Sequence, residues 1–152
     1  MAGRQKHDIE SVFTILKELG KVLRIFHDEV VLCDRVTFIQ FCILDYVAAR
    51  GRLEMSELHD LLSVEKSTTT RMVNPLVSRG LLVKAASTKD SRSIDLVLTA
   101  KGGNTHRKVW QCISGHIESF LNAMPADRQD KVIDSIGVFI QSVRTCCAGK
   151  CM

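Results

Sequence analysis

A mainly α chain with one small β-hairpin is the fold class that the sequence predicts, and three observations predict it. Apolar residues recur at three- and four-residue steps up to about residue 79 and again beyond Gly103. Between Leu81 and Leu98 the period drops to two. Gly80 and Gly103 punctuate the two changes. Three helices followed by a two-stranded hairpin is the order of a winged helix-turn-helix, here with further helices on its N- and C-terminal sides.

The elements follow in order. Ile9, Val12, Phe13, Leu16, Leu19, Leu23 and Phe26 form the stripe of a first helix. A second apolar helix is expected from about Val36 to Ala49, ended by Gly51. Ser56 is a suitable N-cap for a short third helix with Leu58, Leu61 and Leu62 on its inner face. Ser63 to Lys66 make a turn, and Ser67 caps a fourth helix that runs to about Arg79 and stops at Gly80. Pro75 removes a donor to the Arg71 carbonyl, so a local bend is expected there. Leu81–Ala85 reads as a strand and Ala86–Ser93 as a polar turn. In Ile94–Leu98 the residues Ile94, Leu96 and Leu98 alternate with Asp95 and Val97, as in a half-buried strand. After Gly103 a long helix carries Val109, Ile113, His116 or Ile117, and Phe120. Pro125 and Asp127 suit the first turn of a last helix bearing Val132, Ile133, Ile136, Phe139, Ile140 and Val143.

The expected organisation is an N-terminal dimerisation helix (1–35), a winged helix-turn-helix (36–100), C-terminal dimerisation helices (101–145) and a Cys-rich tail (146–152). The first and last helices have wide apolar stripes and no remaining segment to cover them, so a second copy of the chain is the economical cover. The alternative is that they pack on each other within a monomer.

Charge is distributed unevenly. Residues 50–108 carry 11 Lys/Arg against 6 Asp/Glu, whereas 1–49 carry 6 against 7 and 109–152 carry 4 against 4. A basic centre in a neutral frame suits a phosphate-facing module held by a scaffold; an unevenly charged solvated surface is the competing reading. The opening MAGRQKHDIE has no apolar core of a signal peptide, and no run of 18 apolar residues occurs. A cytoplasmic protein without a membrane partner is expected, with its six Cys as thiols or metal ligands rather than structural disulfides. No phosphate loop, zinc-protease or nucleophile-elbow motif occurs and the five His are scattered, so an enzyme is not expected.

On the fourth helix, Met72, Val73, Leu76 and Val77 cluster on one side. Ser67, Thr70, Arg71, Asn74 and Ser78 cluster on the other, with Thr68 beside them. These groups suit a major groove: Arg matches guanine, Asn matches adenine, and the Thr methyl touches thymine. Hydroxyls near the helix start suit phosphate oxygens. The competing reading is an ordinary solvated amphipathic face. The hairpin tip carries Lys89, Asp90 and Arg92. A short acidic side chain two positions before Arg can aim its guanidinium, and an Arg on a thin hairpin fits a narrow minor groove. A surface ion pair worth at most about 1 kcal/mol is the alternative.

KDSRSIDLVLTAKG (Lys89–Gly102) resembles the wing signature of the multiple-antibiotic-resistance regulator (MarR) family, Asp-x-Arg followed by Leu-x-Leu-Thr and Gly. TTTRMVNPLVSRGLLVK (Thr68–Lys84) is similar to that family's recognition helix and following strand. The resemblance implies a homodimeric regulator, a repressor, that binds pseudo-palindromic double-stranded DNA and is released by a small-molecule effector, an oxidant or a metal. It implies Arg92 in the minor groove with Asp90 as its orienter, and Ser67, Thr70, Arg71 and Asn74 facing the major groove. Asp-Ser-Arg replaces the commoner Asp-Arg-Arg, one charge fewer. A winged helix used only for protein–protein contact is the rival reading.

No cofactor is expected to be required. Cys42 and Cys112 read as core residues. Cys146, Cys147 and Cys151 lie beside Arg144 and Lys150, which favour thiolates, and three thiolates suit a soft metal or metalloid, or oxidation to a disulfide. A passive tail is the alternative.

Overall fold

A computed structural model describes residues 9–22, 33–87 and 93–150, with side chains as far as 146. The elements run α1 (Ile9–Val22), α2 (Phe38–Arg50), β1 (Arg52–Glu54), α3 (Met55–Leu62), α4 (Lys66–Ser78), β2 (Leu82–Ala86), β3 (Ile94–Leu98), α5 (Ala100–Ala123) and α6 (Gln129–Lys150). The fold is a winged helix with helices at both ends, as expected. The chain divides into two compact units, residues 1–110 and 111–152.

In the first unit, α2 starts where Thr37 and Gln40 form a capping box. The Thr37 hydroxyl accepts from the Gln40 N–H at 3.3 Å, and the Gln40 side chain accepts from the Thr37 N–H at 3.2 Å. Gly51 ends α2 at φ 70°, a conformation costly for other residues. Phe41, Ile43, Leu44 and Val47 of α2 are buried with Leu53, Leu58, Val73, Leu76, Leu82 and Leu96. Each such side chain contributes on the order of 1.5–3 kcal/mol.

The sheet has three antiparallel strands in the order β1-β3-β2. Strand β1 is an addition to the expected hairpin; three residues are too few to register as an alternating pattern. Leu53 lies opposite Leu96, and both are fully buried. The expected alternation in β3 is corrected at its start: Asp95 is 4% exposed whereas Ile94 is 45% exposed. The reason is electrostatic. Arg52 Nη1 donates to Asp95 Oδ2 at 3.2 Å from the neighbouring strand, so the carboxylate is buried with a partner.

Several expected helix starts are also corrected. Helix α3 follows Glu54, and Ser56 lies in its first turn, donating to Glu54. Helix α4 follows Glu65, and Ser67 likewise sits in the first turn rather than at the cap. Helix α5 starts at Ala100, before Gly103, because Thr99 caps it: its hydroxyl accepts from the Gly102 N–H at 2.9 Å and donates to the Gly80 carbonyl at 2.7 Å. In the second unit, Pro125 precedes a 3-10 turn, Ala126–Arg128, and α6 starts only at Gln129. The Gln129 side chain donates to the Leu121 carbonyl at 2.9 Å and so ties the end of α5 to the start of α6. Helix α6 continues through Cys146 and Cys147 to Lys150. No helix among the described residues is long and apolar enough to cross a membrane.

Candidate nucleic-acid interface

Helix α4 follows α3 across a short turn in which Ser63 adopts φ 52°. Its inner side is Thr69, Val73 and Leu76, all buried, with Met72 and Val77 half-buried beside them. Thr69 is an inward residue that apolar periodicity misses. Its hydroxyl is satisfied by the Glu65 carbonyl at 3.3 Å, so burial costs little. The opposite side exposes Ser67, Thr70, Arg71, Asn74 and Ser78, while Thr68 is half-buried at the margin. Thus one helix face brings together Ser67, Thr70, Arg71 and Asn74.

Their polar groups are already partly committed. The Thr70 hydroxyl donates to the Lys66 carbonyl at 3.0 Å and keeps its lone pairs as acceptors. The Asn74 amide oxygen accepts from Lys84 Nζ at 3.0 Å. Arg71 is exposed and makes no ion pair among the described residues. The helix runs through Pro75 without ending.

The far end of α4 is fastened at three points. The Arg79 guanidinium donates to the carbonyls of Arg35 (2.7 Å) and Asp34 (2.8 Å). Those two residues have φ of 56° and 60°, left-handed conformations that cost non-glycine residues about 1–2 kcal/mol each. The Asp34 carboxylate accepts from the buried Thr105 hydroxyl at 2.9 Å. Lys101 Nζ donates to the Arg79 carbonyl at 2.8 Å. In the sequence Arg79 carries no signal beyond its place as the last residue before Gly80.

Lys89, Asp90 and Arg92 lie outside the described residues. The root of their hairpin is described. The Ser87 N–H donates to the Ser93 carbonyl at 3.0 Å, and the Ser93 hydroxyl donates to Glu54 Oε1 at 3.0 Å. A cleft of about 270 Å³ opens between this root, α3 and α4, lined by Glu54, His59, Lys66, Thr70 and Ser93 among others. His59 Nδ1 is buried there without a hydrogen-bond partner among the described residues.

A second cluster has no counterpart in the sequence reading, which treats the histidines as scattered. Phe41 stacks on His106 and Trp110, with ring centroids 5.3 and 6.2 Å apart. His106 Nε2 lies 2.9 Å from Asp45 Oδ1. Helical spacing from 106 to 110 puts the two rings on one face of α5, a signal available in the sequence.

Cys42 is a half-buried free thiol; burial pushes it up from the ordinary 9.0, and the Asp45 carboxylate adds to the shift. Cys146 is free and exposed, while the Cys147 side chain and Cys151 lie outside the described residues. Cys33 and Cys112 are each disulfide-bonded, which corrects the expectation of thiols throughout and of Cys112 as a plain core residue. Among the described residues no three His, Cys, Asp or Glu side chains converge as a metal site.

The MarR family pattern matches residues 36–93, the span from the start of α2 to the wing. The HTH-type transcriptional repressor MdtR of Bacillus subtilis is 36% identical over 67 residues, 44% of this chain and 43% of that protein. The curated relatives are thus matched over less than two thirds of their own length, 61% at most. Among solved structures, a MarR mutant from E. coli complexed with operator DNA has a TM-score of 0.72 at 19% identity, covering 93% of this chain and 99% of that one. The PcaV regulator from Streptomyces coelicolor, in complex with its natural ligand, has a TM-score of 0.67 at 24% identity, covering 94% and 99%. At these identities the likeness establishes the fold.

Proposed function

We propose that this chain, whose residues 36–93 match the MarR family pattern, is a transcriptional regulator of that family, acting as a repressor, that binds pseudo-palindromic operator DNA as a homodimer. The observation that carries the reading is the outer face of α4, where Arg71 and Asn74 stand exposed beside hydroxyl groups in the most basic third of the chain. Such a face offers directed donors to base edges and positive charge to phosphates. The description of MdtR as a repressor and the operator complex of the MarR mutant support it. The exposed apolar residues of α1 (Ile9, Phe13, Ile15) and α6 (Ile133, Ile136, Val138) support a dimer.

Two further parts belong to the proposal. The wing residues Lys89, Asp90 and Arg92 contact the minor groove, with Arg92 the inserted side chain. An effector releases the DNA, a reading supported by the ligand complex of PcaV. Cys146, Cys147 and Cys151 are the candidate site for an oxidant or soft metal.

The test is fluorescence anisotropy with duplex DNA from the promoter of its own gene. Saturable binding that survives excess random duplex is expected. Binding that random duplex competes away equally would refute sequence-specific regulation. Arg92→Ala is expected to weaken specific binding by about 1–3 kcal/mol, and Asp90→Ala by less. An unchanged affinity in Arg92→Ala would refute the wing assignment. Replacing Cys146, Cys147 and Cys151 by Ser abolishes release by oxidant or soft metal if the cysteines sense; equal release from both proteins would assign them no sensing role.

A further inference from the structure

We infer that Lys84 fixes the base preference of Asn74, making it a reader of guanine rather than of adenine. The inference rests on the operator-binding reading above and adds to it a base identity and the residue that sets it.

An asparagine amide has two faces of opposite polarity, a carbonyl oxygen that accepts and an NH2 that donates. Adenine is read in the major groove by using both at once, N7 taking a donor and N6–H2 giving one. Here one of the oxygen's two lone pairs is already taken, by a cation. Lys84 Nζ donates to Asn74 Oδ1 at 3.0 Å. The ammonium has three donors and no acceptor, so the atom turned toward it has to be the oxygen. The NH2 then points away from Lys84.

The lysine is held where it can do this. It lies on β2 two positions after Leu82, and so on the same sheet face as that fully buried residue. Its cross-strand partner is Leu96, also fully buried, so Lys84 emerges from the apolar face of the sheet. Strand β2 packs against α4, and from that position a four-carbon stem reaches the helix. Asn74 is exposed on the outer face of α4, between Arg71 and Ser78.

The pair therefore presents mostly donors, the Asn74 NH2 and the remaining protons of the Lys84 ammonium, beside a single remaining lone pair on Asn74 Oδ1. Guanine offers two adjacent acceptors, N7 and O6, and satisfies them. Adenine would bring its N6–H2 against the ammonium's own protons, with the one remaining Asn74 Oδ1 lone pair as its only acceptor. The expected discrimination is about tenfold in favour of guanine at the base under Asn74, the scale of one directed base contact.

The experiment is selection of bound duplexes from a randomised pool by the full chain, followed by affinity measurement on the winning sequence. Asn74→Ala identifies the position read, as the one whose preference flattens. The wild-type chain is expected to select guanine there. Lys84→Met frees the amide oxygen, and the guanine-to-adenine ratio is expected to fall at least tenfold. Lys84→Arg supplies donors only and is expected to retain guanine. Both changes are at an exposed residue, and loss of one charge lowers affinity for all sequences without altering the ratio. Selection of adenine by the wild type, no position responding to Asn74→Ala, or an unchanged ratio in Lys84→Met would each overturn the inference while leaving operator binding intact. A wild-type chain that enriches no sequence overturns the operator reading, and this inference with it.

Discussion

At Gly102 a Cβ would lie 2.0 Å from the Leu81 carbonyl oxygen and 2.7 Å from Leu98 Cδ2. The obstacle is backbone, which cannot swing aside as a side-chain tip can. Gly102→Ala is therefore expected to cost about 3 kcal/mol, the upper part of the range for overpacking. A urea midpoint equal to the parent's would show that α5 shifts freely. Thr99 caps the same turn, and Thr99→Ala is expected to cost about 1 kcal/mol by the same measurement. These two residues give physical content to the Leu-x-Leu-Thr-x-x-Gly pattern: it is a strand end, a helix cap and a close backbone approach. Cys42 yields a pH prediction. Its thiol is held above the ordinary 9.0 by burial and then by Asp45. The folded state thus binds this proton more tightly than the unfolded state. Its contribution to stability is complete below pH 9.0 and is lost as pH rises through the folded value. Labelling with a maleimide between pH 7 and 9 should modify exposed Cys146 first and Cys42 slowly. Equal rates would show that α2 opens readily.

At the scale of elements, helix α4 is legible in its faces and illegible in its fastenings. Ser67, Thr70, Arg71 and Asn74 separate from Val73 and Leu76 at 100° per residue, and the structure exposes the first four together. What periodicity misses depends on residues distant in sequence. Arg79 acts on carbonyls 44 and 45 positions away, and Lys84 acts on Asn74 across a strand–helix boundary. Strand β1 is too short to show a period, and the inward Asp95 is hidden from periodicity because its burial depends on Arg52 of another strand. The capping box of Thr37 and Gln40 was readable as Thr-x-x-Gln ahead of an apolar run. The Arg79 clamp supplies the prediction for this scale. It holds a turn whose two left-handed residues favour another conformation. Arg79→Ala is expected to destabilise the domain by about 1–3 kcal/mol and to loosen the end of α4. Amide exchange should accelerate at Val36, whose N–H bonds to Cys33 at 3.4 Å, and at Leu81, bonded to Leu76 at 2.9 Å. Arg79→Lys keeps the charge but not the two-pronged geometry, so it should resemble Arg79→Ala. Full protection in Arg79→Lys would reduce the clamp to a matter of charge.

For the whole molecule, the exposed apolar side chains and the net charge of +4 lead to one prediction. Helix α6 exposes Ile133, Ile136, Phe139, Ile140 and Val143 at 41–53% each, and α1 exposes Ile9, Val12, Phe13, Leu16 and Leu19. Covering them with a second copy stabilises the assembly by burial, roughly 25 cal/mol for each Å² removed from water. In the proposed dimer the phosphates engaged would also double, since two copies of α4 would meet two half-sites about one duplex turn apart. If each dimer neutralises on the order of 6–10 phosphates, log Kobs falls against log salt with a slope of about −5 to −9. Ile136→Lys combined with Ile140→Lys places two charges in the proposed interface, where desolvation opposes association. The variant is expected to sediment at half the mass of the parent. Its salt slope should fall to about half, because one half-site remains, and its affinity for a full operator should approach that for a half-site. The slope separates this outcome from simple misfolding, which would abolish binding at every salt concentration. A monomeric variant that keeps the parental slope would show that the DNA contacts come from one chain, and that the apolar faces of α1 and α6 serve some other partner.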